Sequence, residues 1–218
     1  MKINDCIIRL ETKNDYRAVE NLTREAFWNL NFPGAYEHYF AHIMRDHADF
    51  VPELDFVIEI NGKIIANIMY TKAKLVDECG TIKDVLSFGP ISVLPEYQRK
   101  GYGKLLIEHT FSKAIELGFD TVVILGDPNN YVSRGFKSCI KYNVSLEGDQ
   151  FPAALLVKEL QEGVLDGRRW YFHESPVAEL LNDEERIELF DAEFSPKVKE
   201  WQTSQEAFFI HSHSFLKE

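Results

Sequence analysis

The chain has 218 residues, a formal net charge of −11 at pH 7 and 45% hydrophobic residues. This length corresponds to one to one and a half typical domains, and this apolar content is sufficient to build a hydrophobic core. The acidic balance argues against a nucleic-acid partner, because phosphate binding requires a basic surface. It agrees with attraction of a cationic amine substrate and also with plain solubility, and both interpretations stay open.

No segment of the sequence is apolar over the ~20 residues that a membrane-spanning helix requires. Residues 1–10 contain Asp5 and Arg9 and no long apolar stretch, so we do not expect a signal peptide there. We therefore predict a cytoplasmic protein that makes no membrane contact. The cysteines are odd in number and have no CxxC spacing, which argues against a disulfide framework and against a zinc site.

The first segments of the chain alternate between strand and helix patterns. Residues 6–10 are short and rich in β-branched side chains, which predicts a strand. Asn14-Asp15 offers a helix N-cap before apolar residues at helical spacing, and Pro33-Gly34 ends that helix. Aromatic residues within the range 36–43 predict a second helix.

A meander of three strands is predicted next. Residues 56–60 form a strand, Asn61-Gly62 is a typical two-residue hairpin turn, and residues 64–70 form the returning strand. A third strand covers residues 82–93 and contains Gly89-Pro90. Because proline cannot donate a hydrogen bond to a neighbouring strand, we expect a bulge at this point.

The pattern then changes to a helix over residues 104–117, which Gly118 ends. The continuous apolar run at 121–125 predicts a strand that is buried on both faces. After a short helix, two more strands are predicted over residues 136–144 and 153–160, the second being the last strand of the main sheet. This order predicts an α/β fold with a mixed central sheet flanked by helices.

Residues 161–218 have a different character from the rest of the chain. Glycine and proline interrupt a loop-rich stretch, and the range 182–185 resembles a capped helix start. The density of aromatic side chains argues against disorder. We therefore predict a main domain over residues 1–160 and a C-terminal extension over residues 161–218 that packs on it.

A glycine-rich segment lies between a predicted strand and a predicted helix, with the sequence Gln98-Arg99-Lys100-Gly101-Tyr102-Gly103. Glycine permits tight turns and close approach of a ligand to the backbone, and the free N–H groups of a helix start favour an anion. Arg99, Lys100 and Lys104 add positive charge, so a pyrophosphate site is one interpretation. A glycine-rich helix start with a solvated basic turn is the other.

Two better-known phosphate-binding patterns do not occur in this segment. The P-loop pattern GxxxxGKS/T is not present. The dinucleotide pattern GxGxxG fails as well, because Leu106 stands where the third glycine belongs.

The segment resembles the acetyl-CoA-binding motif of the GNAT acetyltransferase superfamily. That motif has Gln or Arg, two residues, Gly, one residue, and then Gly or Ala, and it matches Gln98, Gly101 and Gly103. Residues 125–131 with the following Gly135-Phe136 are similar to the family's Tyr-x-x-x-Gly-Phe element. The Phe-Gly-Pro and Gly-Asp-Pro pieces resemble a bacterial subgroup of predicted N-acetyltransferases. The resemblance covers about residues 3–160.

One departure from the subgroup concerns its Tyr-x-Arg-Phe-Gly-Phe pattern. Arg134 stands one place later than the pattern requires, and an aromatic residue is missing before Gly135-Phe136. The change affects the expected shape of the local pocket and retains the tyrosine.

The resemblance implies transfer of an acetyl group from acetyl-CoA to a primary amine by direct attack on the thioester. In the family, the pantetheine arm pairs with the bulged strand, and the glycine-rich loop holds the phosphates. The candidate cofactor-binding residues are Ile91, Ser92, Val93, Gln98, Arg99, Lys100, Gly101, Tyr102, Gly103, Lys104 and Asn129. Tyr131 matches the family's general acid, which protonates the leaving thiolate, and a structural position at the core edge is its alternative role.

An alkyl amine must lose a proton before it attacks, and a carboxylate or a histidine can accept that proton. The sequence does not choose among the candidates Glu53, Asp55, Asp84, Asp127, His38, His42 and His47. His211 and His213 have no third ligand, so we expect no metal site there and treat both as exposed.

The sequence does not identify the acceptor, and we expect a small-molecule amine or a peptide. The alternatives are a non-catalytic acyl-CoA-binding sensor, and a transferase for longer acyl groups or hydroxyl acceptors. The extension contains the aromatic residues Trp170, Tyr171 and Phe172. They fit either the lining of an acceptor pocket or a contact in a homodimer.

Overall fold

The computed structural model describes residues 6–217, and within this part nine strands form one mixed sheet. The first four strands are antiparallel neighbours in chain order. They are β1 (Ile7–Leu10), β2 (Phe56–Ile60), β3 (Lys63–Asp77) and β4 (Ile82–Val93). The hairpin predicted at Asn61-Gly62 is present, and both of its residues have the positive φ that such a turn requires.

Two helices connect β1 to β2 and pack on one face of the sheet, which we call the α1 face. They are α1 (Tyr16–Phe27) and α2 (Glu37–Met44). The Ser92 hydroxyl of β4 lies 3.1 Å from the Thr23 hydroxyl of α1 and donates to it. Residues of α2 pack on Met69 of β3.

The opposite face, which we call the α3 face, carries the helix α3 (Tyr102–Glu116). Its apolar side chains recur at helical spacing and are buried in the largest core, as for Leu106, Ile107, Phe111 and Ala114. The helix ends at Gly118, whose φ of 89° is the left-handed conformation that glycine adopts without strain.

The bulge predicted at Gly89-Pro90 is confirmed by the register of β4 with β3. Ile68 of β3 pairs with Ile91, whereas Tyr70 pairs with Phe88. β4 therefore carries one more residue than β3 over this interval, and the extra residue frees backbone groups from the regular ladder.

β5 (Thr121–Leu125) lies next to β4, and the short helix α4 (Pro128–Tyr131) follows it. In the described residues, β5 joins β4 in parallel register at Leu86 and Val122. On its other side β5 pairs with β8 (Leu155–Glu159), which confirms the strand predicted there.

The single strand predicted over residues 136–144 is wrong. Two short strands stand in its place, β6 (Lys137–Ser138) and β7 (Val144–Ser145), with a 3-10 helix over Cys139–Tyr142 between them. Asn143 ends that helix with a φ of 54°, a left-handed conformation that a continuous strand does not contain.

The extension contributes a strand that the sequence analysis missed, β9 (Trp170–His173). It pairs antiparallel with the part of β3 that extends past β2, and in parallel with β7. The prediction that β8 is the last strand of the sheet is therefore wrong. Trp170 and Phe172 are buried in a second core, so neither is available for an acceptor pocket or a dimer contact.

The rest of the extension forms α5 (Glu184–Asp191) and α6 (Thr203–Ser212). The helix start expected at 182–185 is present, because the Asp183 carboxylate accepts a hydrogen bond from the Arg186 N–H at 3.1 Å. Among residues 6–217, no helix combines the length and the apolar character that crossing a bilayer requires. The division of the chain near residue 160 stays a prediction.

Candidate functional site

A cleft of about 340 Å³ opens between α1, the end of β4, the start of α3 and α4. The strand end and the loop after it contribute Ile91, Val93, Gln98 and Arg99. The start of α3 contributes Gly101, Tyr102, Gly103 and Lys104. Tyr131 of α4 lines the same cleft, so the structure brings the predicted loop and the predicted tyrosine together.

The backbone of the glycine-rich loop turns sharply into α3. Gly101 is the N-cap residue with a φ of 93°, and Arg99 also has a positive φ of 60°. The first helical hydrogen bond runs from the Leu105 N–H to the Gly101 carbonyl at 3.0 Å. The amides of residues 102–104 therefore have no acceptor within the helix, and together with the helix dipole they favour an anion above them.

Gly103 lies on the helix turn that faces the end of β4. A Cβ on Gly103 would lie 3.7 Å from Val93 Cγ2 and 3.9 Å from Ile91 Cδ1, which are ordinary contact distances. The packing of the protein itself therefore does not require glycine here. A ligand that approached the helix start closely would require a residue without a side chain at this position.

The alternation of side chains along β4 separates the three predicted strand residues. Ile91 and Val93 face the cleft, whereas Ser92 between them is fully buried against α1. Lys100 does not line the cleft either, because its Nζ donates a hydrogen bond to the Glu96 carbonyl at 2.6 Å.

Asn129 is the third predicted residue that lies outside the cleft. Its backbone N–H and its side-chain Nδ2 both donate to Asp127 Oδ1 at 2.9 Å, which caps the start of α4. The neighbouring Asn130 lines the cleft in its place. Arg134, which the sequence analysis treated only as a departure from the subgroup pattern, also lines the cleft and adds a positive charge to that wall.

Tyr131 is partly buried among aromatic side chains. The centroid of its ring lies 5.6 Å from that of Phe88 and 5.8 Å from that of Phe136. Burial raises the pKa of Tyr131 to about 12, with Arg134 lowering it and Asp127 raising it further. The phenol is therefore protonated at neutral pH and available as a hydrogen-bond donor.

The end of α1 and the loop after it contribute residues that were not assigned to the site from the sequence. Ala26, Phe27 and Leu30 line the cleft opposite the start of α3. In the sequence, Ala26 and Leu30 appeared only as part of the apolar stripe of a helix. Both residues lie shortly before Pro33-Gly34, which ends the helical pattern, and this was the one local indication that they lie at the end of a helix.

The carboxylate candidates for the general base lie in different surroundings. Glu53 and Asp84 are exposed and do not line the cleft. Asp55 is buried, where its Oδ1 accepts from Asn67 Nδ2 at 3.0 Å, and burial raises its pKa to about 9. Asp127 is the candidate next to Tyr131, since it caps α4.

The three histidine candidates lie outside the cleft as well. His38 is fully buried near Asp191, with 3.0 Å between Nε2 and Oδ1, and burial lowers its pKa to about 4. His42 of α2 pairs with Glu20 of α1, and His47 pairs with Asp49 in the loop that follows α2.

Glu37 is a buried carboxyl group that the sequence analysis did not consider. It is the first residue of α2, directly after the loop whose beginning lines the cleft. Asn31 Nδ2 and the Tyr36 N–H donate to its two oxygens at 3.0 Å and 3.1 Å. Burial raises the pKa of Glu37 to about 7, a value that suits proton exchange at neutral pH.

The sequence matches the model of one protein family, described as the acetyltransferase (GNAT) family, over residues 21–137. A curated relative, the uncharacterized N-acetyltransferase YjhQ of Escherichia coli (strain K12), is 32% identical over 89 residues. This match covers 40% of the present chain and 48% of the relative, so the chain spans about half the length of the curated relative it matches.

Two solved structures share the fold. The GNAT family N-acetyltransferase YhbS of Escherichia coli, in complex with CoA, has a TM-score of 0.69 at 21% identity, over 80% of this chain and 92% of its own. A GNAT family acetyltransferase of Brucella melitensis in complex with acetyl-CoA has a TM-score of 0.61 at 20% identity, over 79% of this chain and 97% of its own.

Proposed function

The chain belongs to the GNAT acetyltransferase family, and on this premise we propose that it transfers an acetyl group from acetyl-CoA to the primary amine of a small molecule or a peptide. One observation carries the proposal. The free N–H groups at residues 102–104 and the hydroxyl-bearing Tyr131 line the same cleft, beside the bulged strand β4.

The start of α3 fits the pyrophosphate of acetyl-CoA. Its unpaired amides and the absence of a side chain at Gly103 allow phosphate oxygens to approach the backbone. Arg99, Lys104 and Arg134 line the cleft and provide positive charge in an otherwise acidic chain. The CoA and acetyl-CoA in the two structures that share the fold support this assignment.

The bulged part of β4 fits the pantetheine arm and the thioester. The extra residue at Gly89-Pro90 leaves backbone groups outside the ladder with β3, where they can pair with an extended ligand. A backbone N–H that polarises the thioester carbonyl contributes about 3 kcal/mol to the barrier reduction when it is well placed.

Tyr131 acts by hydrogen bonding rather than by complete proton transfer before the C–S bond breaks. With its pKa at about 12, transfer of its proton to a thiolate of pKa ~8.5 would be uphill by about 5 kcal/mol. A hydrogen bond that strengthens as negative charge develops on sulfur avoids that cost. The raised pKa of Tyr131 therefore favours hydrogen-bond donation to the developing thiolate over complete proton transfer.

We assign removal of the amine proton to Glu37. It is a buried carboxyl group whose pKa of about 7 allows it to accept a proton at neutral pH. It begins α2, and the loop that connects it to α1 also forms part of the cleft wall. Glu37 itself does not line the cleft. Asp127 is the alternative base, since it caps the helix that carries Tyr131 and its Oδ1 accepts the two capping hydrogen bonds from Asn129.

The experiment that tests the proposal combines two measurements. Calorimetry measures CoA and acetyl-CoA binding, and thiol release from acetyl-CoA is followed with polyamines, aminoglycosides, amino acids and short peptides. We expect binding, and release well above background hydrolysis with one class of amine. Binding without turnover in the panel would favour a non-catalytic acyl-CoA sensor, and absence of binding would refute the proposal. The cytoplasmic location and the homodimer remain predictions.

A further inference from the structure

The helix α6 of the extension is attached at its N-terminal end to the loop after α1. The Ser204 hydroxyl donates a hydrogen bond to the Leu30 carbonyl at 2.8 Å, and Gln205 Nε2 donates to the Asn29 carbonyl at 3.0 Å. Leu30 lines the cleft. One end of α6 is therefore fixed to the α1 side of the cleft.

The C-terminal end of α6 is attached to the opposite side of the cleft. His211 Nδ1 lies 3.5 Å from Oδ1 of Asp127, which caps the helix that carries Tyr131. The chain beyond α6 continues along the loop before β8, where the Ser214 carbonyl accepts from the Ala153 N–H at 2.8 Å. The helix α6 therefore connects the two sides of the cleft.

The helix crosses on the face of the sheet opposite α3. Successive side chains of β4 point to opposite faces, so Leu86 belongs to the core under α3 and Val85 to the second core. Leu216, just beyond α6, packs on this second core. The phosphates of acetyl-CoA would lie at the start of α3, so an amine has to approach the thioester from the side that α6 crosses.

Phe208 lies on the face of α6 that both attachments define. Ser204, Phe208 and His211 stand at positions i, i+4 and i+7, which share one side of a helix. Because Ser204 and His211 contact the two sides of the cleft, the geometry places Phe208 over the gap between them; its side chain is 41% exposed and does not itself line the cleft. Phe209 lies on another side of the helix, where its ring stacks on His213 at 4.1 Å between centroids.

We propose that α6 is a strap across the acceptor side of the cleft and that Phe208 is a specificity-determining residue for the amine. The inference rests on the proposed function. An aromatic ring in this position narrows the entrance, so that unbranched primary alkylamines reach the thioester and ring-bearing amines do not. The same ring keeps water away from the thioester.

The test compares the full-length wild-type protein with Phe208→Ala, Phe208→Trp and Phe209→Ala. Phe209→Ala is the matched control, because it removes the same ring from the neighbouring position of the same helix. CoA binding is measured by calorimetry for all four proteins. Thiol release from saturating acetyl-CoA is then measured without amine, with propylamine and with cyclohexylamine.

We expect CoA affinity to be the same in all four proteins. Phe208→Ala should raise thiol release without amine at least about threefold, since water then reaches the thioester. It should also raise the rate with cyclohexylamine relative to the rate with propylamine. Phe208→Trp should lower both thiol release without amine and this ratio of rates. Phe209→Ala should match the wild type.

The results distinguish a failure of this inference from a failure of the proposed function. If all four proteins bind CoA and Phe208→Ala behaves as Phe209→Ala does, the strap does not control the acceptor and only this inference is overturned. If the wild type does not bind CoA, the proposed function fails and the inference fails with it.

Discussion

The ring of Tyr131 lies directly against the backbone of Gly126. A Cβ built on Gly126 would lie 3.1 Å from Cδ2 of Tyr131 and only 2.6 Å from Cε2, and the second distance is closer than two carbon atoms can pack. Phe88 and Phe136 hold the same ring from other directions. Glycine at position 126 is therefore a condition for the observed position of the tyrosine.

Replacement of Gly126 by alanine should displace Tyr131 without disturbing the phosphate loop. We expect turnover in Gly126→Ala to fall at least about 10-fold, because small misplacements of a reacting group are costly. CoA affinity by calorimetry should stay close to that of the wild type. The double variant Gly126→Ala/Tyr131→Phe serves as the control, and its turnover is compared with that of Tyr131→Phe. A large further loss of turnover in the double variant would show that Gly126 does not act through Tyr131.

Removal of the Tyr131 hydroxyl should slow the chemical step and leave binding intact. We expect Tyr131→Phe to lower kcat at least about 10-fold, since a hydrogen bond to the developing thiolate is lost. Because the pKa of Tyr131 is about 12, its ionisation should not reduce wild-type kcat up to pH ~10. Unchanged turnover in the variant would assign the tyrosine a structural role.

A negative side chain at the N-cap of α3 should abolish CoA binding. Gly101→Asp places bulk and charge where the pyrophosphate is expected, and we expect no detectable binding by calorimetry. Gly118→Asp is the matched control, because Gly118 ends the same helix with a similar φ of 89° and open space around its Cβ. Both variants should lose about 1–2 kcal/mol of stability, because an L-residue is strained in the left-handed conformation. Equal CoA affinity in both would contradict the phosphate-loop assignment.

Glu37 should make the stability of the protein fall as pH rises. Burial raises its pKa from 4.5 to about 7, so the folded state binds the proton more tightly than the unfolded chain. The stabilising contribution is complete below pH 4.5 and is lost as pH rises through about 7. In Glu37→Gln this dependence should disappear, and a thermal unfolding series from pH ~5 to ~8 measures it as a difference on the order of 1–3 kcal/mol.

The same variant tests the role proposed for Glu37 in catalysis. In the wild type, kcat/KM should rise with pH through about 7 as the carboxyl group becomes able to accept a proton. Glu37→Gln should lack this rise and retain CoA binding. A preserved pH profile with reduced stability would leave Glu37 a structural residue.

Asp191 should be a major contributor to docking of the extension. Its oxygens accept hydrogen bonds from Arg24 Nε and Nη2 at 2.6 Å and 3.2 Å, and only 4% of the Arg24 side chain is exposed. Asp191→Ala leaves this buried cation without its carboxylate partner, so we expect a loss of about 3 kcal/mol in urea unfolding. Glu193→Ala is the control, since its pair with Arg17 is exposed and should be worth less than about 1 kcal/mol. Similar losses in both would contradict the assignment.

The sequence predicted most of the elements whose formation depends on local backbone requirements. The turn at Asn61-Gly62, the bulge at Gly89-Pro90 and the end of α3 at Gly118 all appear where the residues indicated. The errors concern elements without such a local requirement. β9 is a four-residue strand that exists because β3 extends past β2 and offers it an edge.

The candidate site divides in the same way. The glycine-rich loop is recognisable in the sequence, because a helix start that binds an anion needs particular residues at adjacent positions. Tyr131 is recognisable only through the resemblance to the family's Tyr-x-x-x-Gly-Phe element. Arg134 and Glu37 carry no such pattern. The position of Arg134 in the cleft wall and the raised pKa of Glu37 both depend on which elements fold around these residues.

By itself, the sequence determined that this chain has a mixed α/β fold with a glycine-rich segment at the start of a helix. Short-range backbone geometry encodes these features within a few consecutive residues. Only the tertiary structure decided what closes the other side of the cleft. The hydrogen bond between Ser204 and Leu30 joins residues 174 positions apart, and such a contact follows from the packing of the whole extension rather than from any local pattern.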